Sequence, residues 1–279
     1  MSVSNQTYEH WECLIINDGS VDNSLAEIEK FIHRSGATTI RVMSTANLGV
    51  SSARNTGIRN ARGKYISLLD QDDMWFPNKL LLQVTFMEEN QHLGGVLCGF
   101  SLSRFVNGIQ KPIGNVLSND LDRLTSGWLS FRGNGGLISS TMLFRNSELP
   151  IYFDSTFSHV SDLDFFLRFQ SVYELGYLEE ILVYYNQHRN QMHTLSSELL
   201  KEYPLFIGSL ELRKYGFSRK ELMGNLYVMC LMLDIKAKDF RRVGLHLIKI
   251  LTNSPLALFS LPLYVLSKRI GRLWNQSKT

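Results

Sequence analysis

The chain has 279 residues, a formal charge of +3 at pH 7, and 44% hydrophobic against 20% charged residues. Those figures suit a globular protein with a sizeable core: one large α/β domain with an appendage, or two small domains. They give no case for a nucleic-acid partner, and three cysteines far apart in apolar runs (Cys13, Cys98, Cys230) give neither a disulfide framework nor a metal spacing and read as buried free thiols in a reducing compartment.

The N-terminus is polar, with no signal-peptide pattern. Trp11 to Ile16 reads as a strand, followed by the turn Asn17-Asp18-Gly19-Ser20. Leu25 to Ile32 reads as a helix with Leu25, Ile28, Phe31 and Ile32 on one face. Thr39 to Met43 is a second strand, and Val50 to Ala61 a small-residue helix in which Ala53, Gly57 and Ala61 allow close packing. Tyr65 to Leu69 is a buried strand, Pro77 to Glu89 a helix, and Gly94 to Phe100 a strand. This alternation implies a doubly wound, mostly parallel sheet with ligands beyond the carboxyl ends of its strands. Asp18 and Asp70, each just past a strand end, should meet at that crevice.

After residue 102 the pattern loosens. Ser103 to Gly108 looks like a hairpin region, and Leu137 to Phe144 reads as a strand after the Gly-rich Arg132 to Gly136. Ser161 to Tyr173 is a helix with Phe165, Phe166, Phe169 and Val172 as its stripe, and Ser161-x-x-Asp164 is a weak relative of a capping box. Leu178 to Tyr185 is a strand, and from Ser196 the pattern is helical. The expected domains are one over 1–195, in two halves of 1–102 and 103–195, and a basic helical region over 196–279.

The densest chemistry lies in Asp70-Gln71-Asp72-Asp73. Like charges this close repel and are costly to bury unpaired. Asp70 and Asp72 can face one point from a turn, a spacing that suits a hard divalent cation such as Mg2+ or Mn2+ arriving with phosphates. The plainer alternative is a solvated acidic loop, and Asp73 is expected to cap the helix near Pro77.

Gln6 to Tyr8, Ile16 to Ser20, Asn47 to Gly57, Gly63 to Ile66, Leu69 to Trp75, Asp162 to Arg168 and Tyr185 to His188 form an ordered set. Together they resemble a family 2 glycosyltransferase with the A-type nucleotide-diphospho-sugar transferase (GT-A) fold, with a C-terminal helical appendage. The resemblance covers about residues 5 to 190. It implies an α/β fold and transfer of a sugar from a nucleotide-diphosphate donor to a sugar or lipid-linked acceptor, with inversion, in cell-surface polysaccharide or glycolipid biosynthesis. It also implies roles. Asp18 would read the nucleotide, Asp70 and Asp72 would form the DXD metal pair, and His188 would lie near metal and diphosphate. Asp162 would be the general base, with Asp164 the runner-up and Ser161 standing where the family has Glu. Arg54 would reach the donor's phosphates or pair with Asp70 or Asp72. Trp75 is expected under the acceptor loop. The resemblance further leads one to expect a strand and helix ahead of Met1.

A non-catalytic nucleotide-sugar binder is the rival reading, which turnover separates. No Gly-x-Gly-x-x-Gly follows a strand, which argues against a dinucleotide dehydrogenase. The tail from Lys236 to Thr279 holds nine Lys/Arg and one acid, Asp239, around the apolar run Leu256 to Leu266. The run is too short to span a bilayer, which needs about twenty apolar residues. A cytoplasmic protein with peripheral contact at the inner membrane face through 241–274 is expected.

Overall fold

The computed structural model describes residues 2–106, 109–117, 125, 138–147, 151–187, 196–210, 216–237, 239–253 and 255. By packing, the chain divides into one unit of Met1–Phe100 with Ile138–Tyr184, and another of Ser101–Leu137 with Tyr185–Thr279.

The first unit opens with β1 (Cys13–Asp18), α1 (Ser24–Ser35), β2 (Ile40–Thr45), α2 (Val50–Asn60), β3 (Tyr65–Ser67), β4 (Met74–Trp75) and α3 (Lys79–Glu89). β1 and β2 pair in parallel, Cys13 opposite Ile40 and Asp18 opposite Thr45, as a crossover through α1 requires. β5 (Gly95–Val106), β7 (Leu143–Arg145) and β8 (Leu175–Asn186) build the second sheet, in the order β3-β7-β5-β8-β4. β6 (Ile109–Val116) pairs with β5, in line with the expected hairpin region.

β7 is antiparallel to both β3 and β5, so those two run in one direction with a reversed strand between them. β4 is antiparallel to β8. The α/β alternation therefore runs as expected through Phe100, and the second sheet takes its reversed strands from later in the chain.

Three local expectations change. Leu137 to Phe144 is not one strand: a 3-10 turn, Ser139–Thr141, precedes β7, because these polar residues are buried and Thr141 Oγ1 bonds the Ile138 carbonyl while Ser140 Oγ bonds Asp70 and Asp73 in the loop after β3. The capping box at α4 (Ser161–Gln170) does not form. Ser161 Oγ donates to the Ser158 carbonyl, and Asp164 instead pairs with Arg168 one turn on. Asp73 does not cap α3, which begins at Lys79 after Asn78, and the Asp73 carboxylate is buried.

α4 seats its aromatic stripe in the core. Phe165 stacks on Phe153 with centroids 4.1 Å apart, and Phe144 meets Phe165 and Phe169 edge-on or tilted. Val172, past the end of α4, is exposed.

The second unit holds α5 (Ser196–Ser209), α6 (Arg219–Ala237) and α7 (Phe240–Asn253). α6 and α7 pack through Val228, Leu231 and Ile250, beside a buried pair in which His246 Nδ1 lies 2.8 Å from Asp234 Oδ2. The other side of α7 leaves Phe240, Leu247, Ile248 and Leu251 exposed. Among the described residues no helix is long and apolar enough to cross a membrane. Leu256 to Leu266 lies outside the described residues.

Candidate functional site

Asp18 ends β1, and the chain turns at once through Gly19. There φ is +71°, and a Cβ would sit 2.9 Å from the Asn47 nitrogen, so only glycine fits. The turn bond comes from Asn17, whose Oδ1 accepts the Ser20 N–H at 3.0 Å. That leaves Asp18 for the opposite loop. Its Oδ1 accepts from Thr45 Oγ1 and Leu48 N–H at 3.0 and 2.9 Å, and its Oδ2 from Gly49 N–H at 2.8 Å. Asp18 thus anchors the start of α2, where a negative charge is favoured by the helix dipole.

α2 carries the next residues. Ser51, Arg54, Asn55 and Ile58 share one face by helical spacing. Ser51 Oγ donates to the Phe157 carbonyl at 2.6 Å, and Asn55 holds Phe153 by two bonds, so the segment leading to Asp162 is fixed on this helix.

Arg54 lies five residues, about 7.5 Å of helix rise, beyond Gly49. Its Nη2 donates to both oxygens of Asp70, at 2.7 and 2.9 Å. Its Nη1 donates to Asp162 Oδ1 at 2.5 Å, and the Phe153 ring lies 4.9 Å from Cζ. The other Asp162 oxygen accepts the Ser139 N–H at 3.2 Å. One guanidinium therefore joins the expected metal ligand to the expected base. The flanking carboxylates hold Arg54 above the ordinary arginine range against its burial. Burial pushes the Asp70 carboxyl up, and Arg54 opposes that shift.

The acidic loop closes as a turn, with Asp73 N–H donating to the Asp70 carbonyl at 3.0 Å. Ser140 fastens it at three points. Its Oγ donates to Asp73 Oδ2 at 2.6 Å and accepts the Asp70 N–H at 3.1 Å, and its carbonyl accepts Trp75 Nε1 at 2.9 Å. Behind the loop lies Lys79, fully buried. Its Nζ donates to Ser67 Oγ and Gln83 Oε1 at 2.9 and 2.7 Å and sits 4.1 Å from the centre of the Trp75 ring.

The structure thus brings Arg54, Asp70 and Asp162 together, with Asp72 in the same loop and Asp18 at the head of the same helix. Asp164 turns to Arg168. His188 lies outside the described residues. Ser140, Lys79 and Asn17 were not anticipated. Only Asn17 left a local signal, as an Asx residue opening a turn. Among the described residues no cluster of three His, Cys, Asp or Glu could hold a metal alone.

Residues 1–142 match the family described as Glycosyl transferase family 2. An uncharacterized glycosyltransferase of Haemophilus influenzae is 28% identical over 200 residues, 68% of this chain and 60% of its own length. One from Rickettsia bellii is 47% identical over 92 residues, 33% of this chain and 13% of its own. The Escherichia coli protein WfgD, named a UDP-Glc:alpha-D-GlcNAc-diphosphoundecaprenol beta-1,3-glucosyltransferase, is 37% identical over 90 residues, 32% of this chain and 34% of its own. The chain therefore spans 60% or less of these relatives' length. The crystal structure of S. aureus TarS 1–349 is similar at a TM-score of 0.57 with 17% identity, covering 100% of this chain and 86% of that one. The Pyrobaculum calidifontis mannosyltransferase PcManGT, solved with GDP-Man and Mn2+, is similar at 0.56 with 13% identity, covering 98% and 81%. These likenesses show the fold, which is the A-type expected from the sequence.

Proposed function

The chain belongs to glycosyl transferase family 2, and on that premise we propose that it moves a sugar from a nucleotide-diphosphate donor to an acceptor hydroxyl, with inversion. The observation that carries this reading is the single guanidinium of Arg54 on Asp70 and Asp162. It puts the end of a donor-side strand and the start of an acceptor-side helix within one side chain's reach.

Asp162 takes the proton of the acceptor hydroxyl as that oxygen forms its bond to the anomeric carbon. The bond from that carbon to the diphosphate oxygen breaks on the opposite face, so configuration inverts and no covalent enzyme intermediate forms. Arg54 Nη1 and the Ser139 N–H hold the two Asp162 oxygens and so aim the carboxylate. Asp18 fixes the loop at the head of α2, where the nucleotide is read.

Asp70 and Asp72 form a two-carboxylate donor set, which fits a Mg2+ or Mn2+ ion that fills its shell with phosphate and water. Such an ion would neutralise charge on the departing diphosphate. Mn2+ accompanies GDP-Man in PcManGT, which supports that choice. The UDP and UDP-GlcNAc complexes of TarS and the name of WfgD support a UDP-hexose donor and a lipid-linked acceptor of polysaccharide or glycolipid synthesis.

The exposed apolar side of α7, with Arg241, Arg242 and Lys249 on the same helix, favours peripheral contact of 241–274 with the inner face of a membrane.

The test is turnover. Purified protein with Mn2+, a panel of nucleotide sugars and lipid-linked acceptors should release nucleoside diphosphate in step with glycosylated product. Donor binding without product in any pairing would favour the non-catalytic reading.

A further inference from the structure

Arg54 is held on nearly every polar side. Nη2 faces both oxygens of Asp70, Nη1 faces Asp162, and the buried Nε has no hydrogen-bond partner. Its side chain is only 11% exposed, and the Phe153 ring closes one face. A buried cation in this setting needs anionic partners on more than one side. Asp70 and Asp162 supply them. Both Asp70 oxygens thereby accept from the guanidinium, although Asp70 is half of the donor set for the cation.

Resting on the glycosyl-transfer reading above, we propose that Arg54 is the positioning residue that stands in for the cation. It occupies Asp70 until donor and ion arrive. When the donor binds with its ion, Arg54 releases Asp70, keeps Asp162, and turns Nη2 onto the diphosphate.

Three physical points lead here. A guanidinium and a divalent cation on the same carboxylate repel, so the two compete for it. Release into no partner would leave a buried cation half compensated, with Nε already unpaired. A diphosphate offers oxygens that a guanidinium fork matches, so it completes the exchange. Asp162 keeps Nη1 on one oxygen and the Ser139 N–H on the other throughout. Its aim therefore survives the exchange. The consequence is that cation and diphosphate are accepted as a pair, and the ion alone is resisted.

The experiment titrates Mn2+ alone, by calorimetry, into the wild-type chain, Arg54→Gln and Arg54→Lys, and then repeats each titration with UDP. Arg54→Gln removes the competitor and leaves two neighbouring carboxylates uncompensated, so it should bind Mn2+ alone about tenfold tighter than wild type. Arg54→Lys, a point charge that cannot hold both Asp70 oxygens, should fall between them. If Arg54→Gln does not fold by circular dichroism, Arg54→Lys carries the test and must still exceed wild type. Mn2+ binding that is unchanged or weaker in the folded variants overturns the proposal and makes Arg54 a support that holds Asp70 ready to ligate. Absence of Mn2+ binding in every protein, with UDP or without, overturns it differently, because the cation reading itself then fails.

Discussion

Asn55 and Phe153 hold each other by two hydrogen bonds, both 2.8 Å: Nδ2 donates to the Phe153 carbonyl, and the Phe153 N–H donates to Oδ1. A buried side-chain amide here replaces a strand partner and ties α2 to the segment that leads into α4. Removing it leaves a buried N–H and a buried C=O unpaired. Asn55→Ala is expected to cost about 3 kcal/mol in urea unfolding. It should also slow transfer more than it weakens donor binding, because Asp162 lies beyond the loosened segment. A loss below about 0.5 kcal/mol, the usual scale of surface substitutions, would contradict this.

The acidic loop yields a prediction about the ion. Asp72→Ala should abolish transfer and Asp72→Asn nearly so, with melting temperatures close to wild type, since Asp72 is half-buried in a loop fastened through Asp70, Asp73 and Ser140. Losing one hard oxygen ligand weakens cation and diphosphate binding together. Near wild-type turnover of either variant in Mn2+ would show that Asp72 is not a ligand.

Lys79 ties stability to pH. Burial pushes its ammonium down from 10.5 to about 8, and its hydrogen-bond partners, Ser67 and Gln83, are neutral. The folded chain therefore gives up this proton before the unfolded chain does. Between about pH 8 and 10.5 unfolding takes a proton up, so stability rises with pH across that window, by about 3 kcal/mol in all. Lys79→Met should lack this rise. Urea midpoints for both proteins at pH 7.5 and pH 10 check it, and parallel profiles would refute it.

The exposed side of α7 makes a prediction about lipid. Phe240, Leu247, Ile248 and Leu251 are 74%, 37%, 59% and 57% exposed, on a helix that also carries Arg241, Arg242 and Lys249. Flotation with anionic liposomes should recover the intact chain at low salt and less of it at high salt. Ile248→Ser with Leu251→Ser should reduce recovery several-fold, because these side chains already face outward and fold stability should barely change. Recovery unaffected by the pair would place lipid contact elsewhere.

Much of the first hundred residues was legible in the sequence because its signals are local. The apolar run before Asp70, the turn at Asn17 to Ser20 and the small-residue helix at 50–60 each carry their own pattern. What escaped is non-local. β7 is three residues long and owes its place to pairing with β3 and β5, so nothing local marks Ser140, in the turn just before it, as the fastener of the acidic loop. Lys79, at the start of a helix, has no local mark of burial, and only the packing of Trp75 and Gln83 around it makes it buried. The bond from Arg54 to Asp162 spans 108 positions, beyond the reach of any periodicity argument. Asp73 reads as a helix cap by residue type, and a serine 67 positions away takes its carboxylate instead.

The most direct test of the account is Asp162→Asn. This change keeps the size of the side chain and removes its basicity. With Mn2+ and a donor the wild type turns over, kcat should fall about a hundred- to ten-thousand-fold while donor Kd stays nearly unchanged. A kcat within a few-fold of wild type would contradict the assignment of Asp162 as base. A donor Kd weakened in proportion to the lost rate would instead make it part of the binding framework around Arg54.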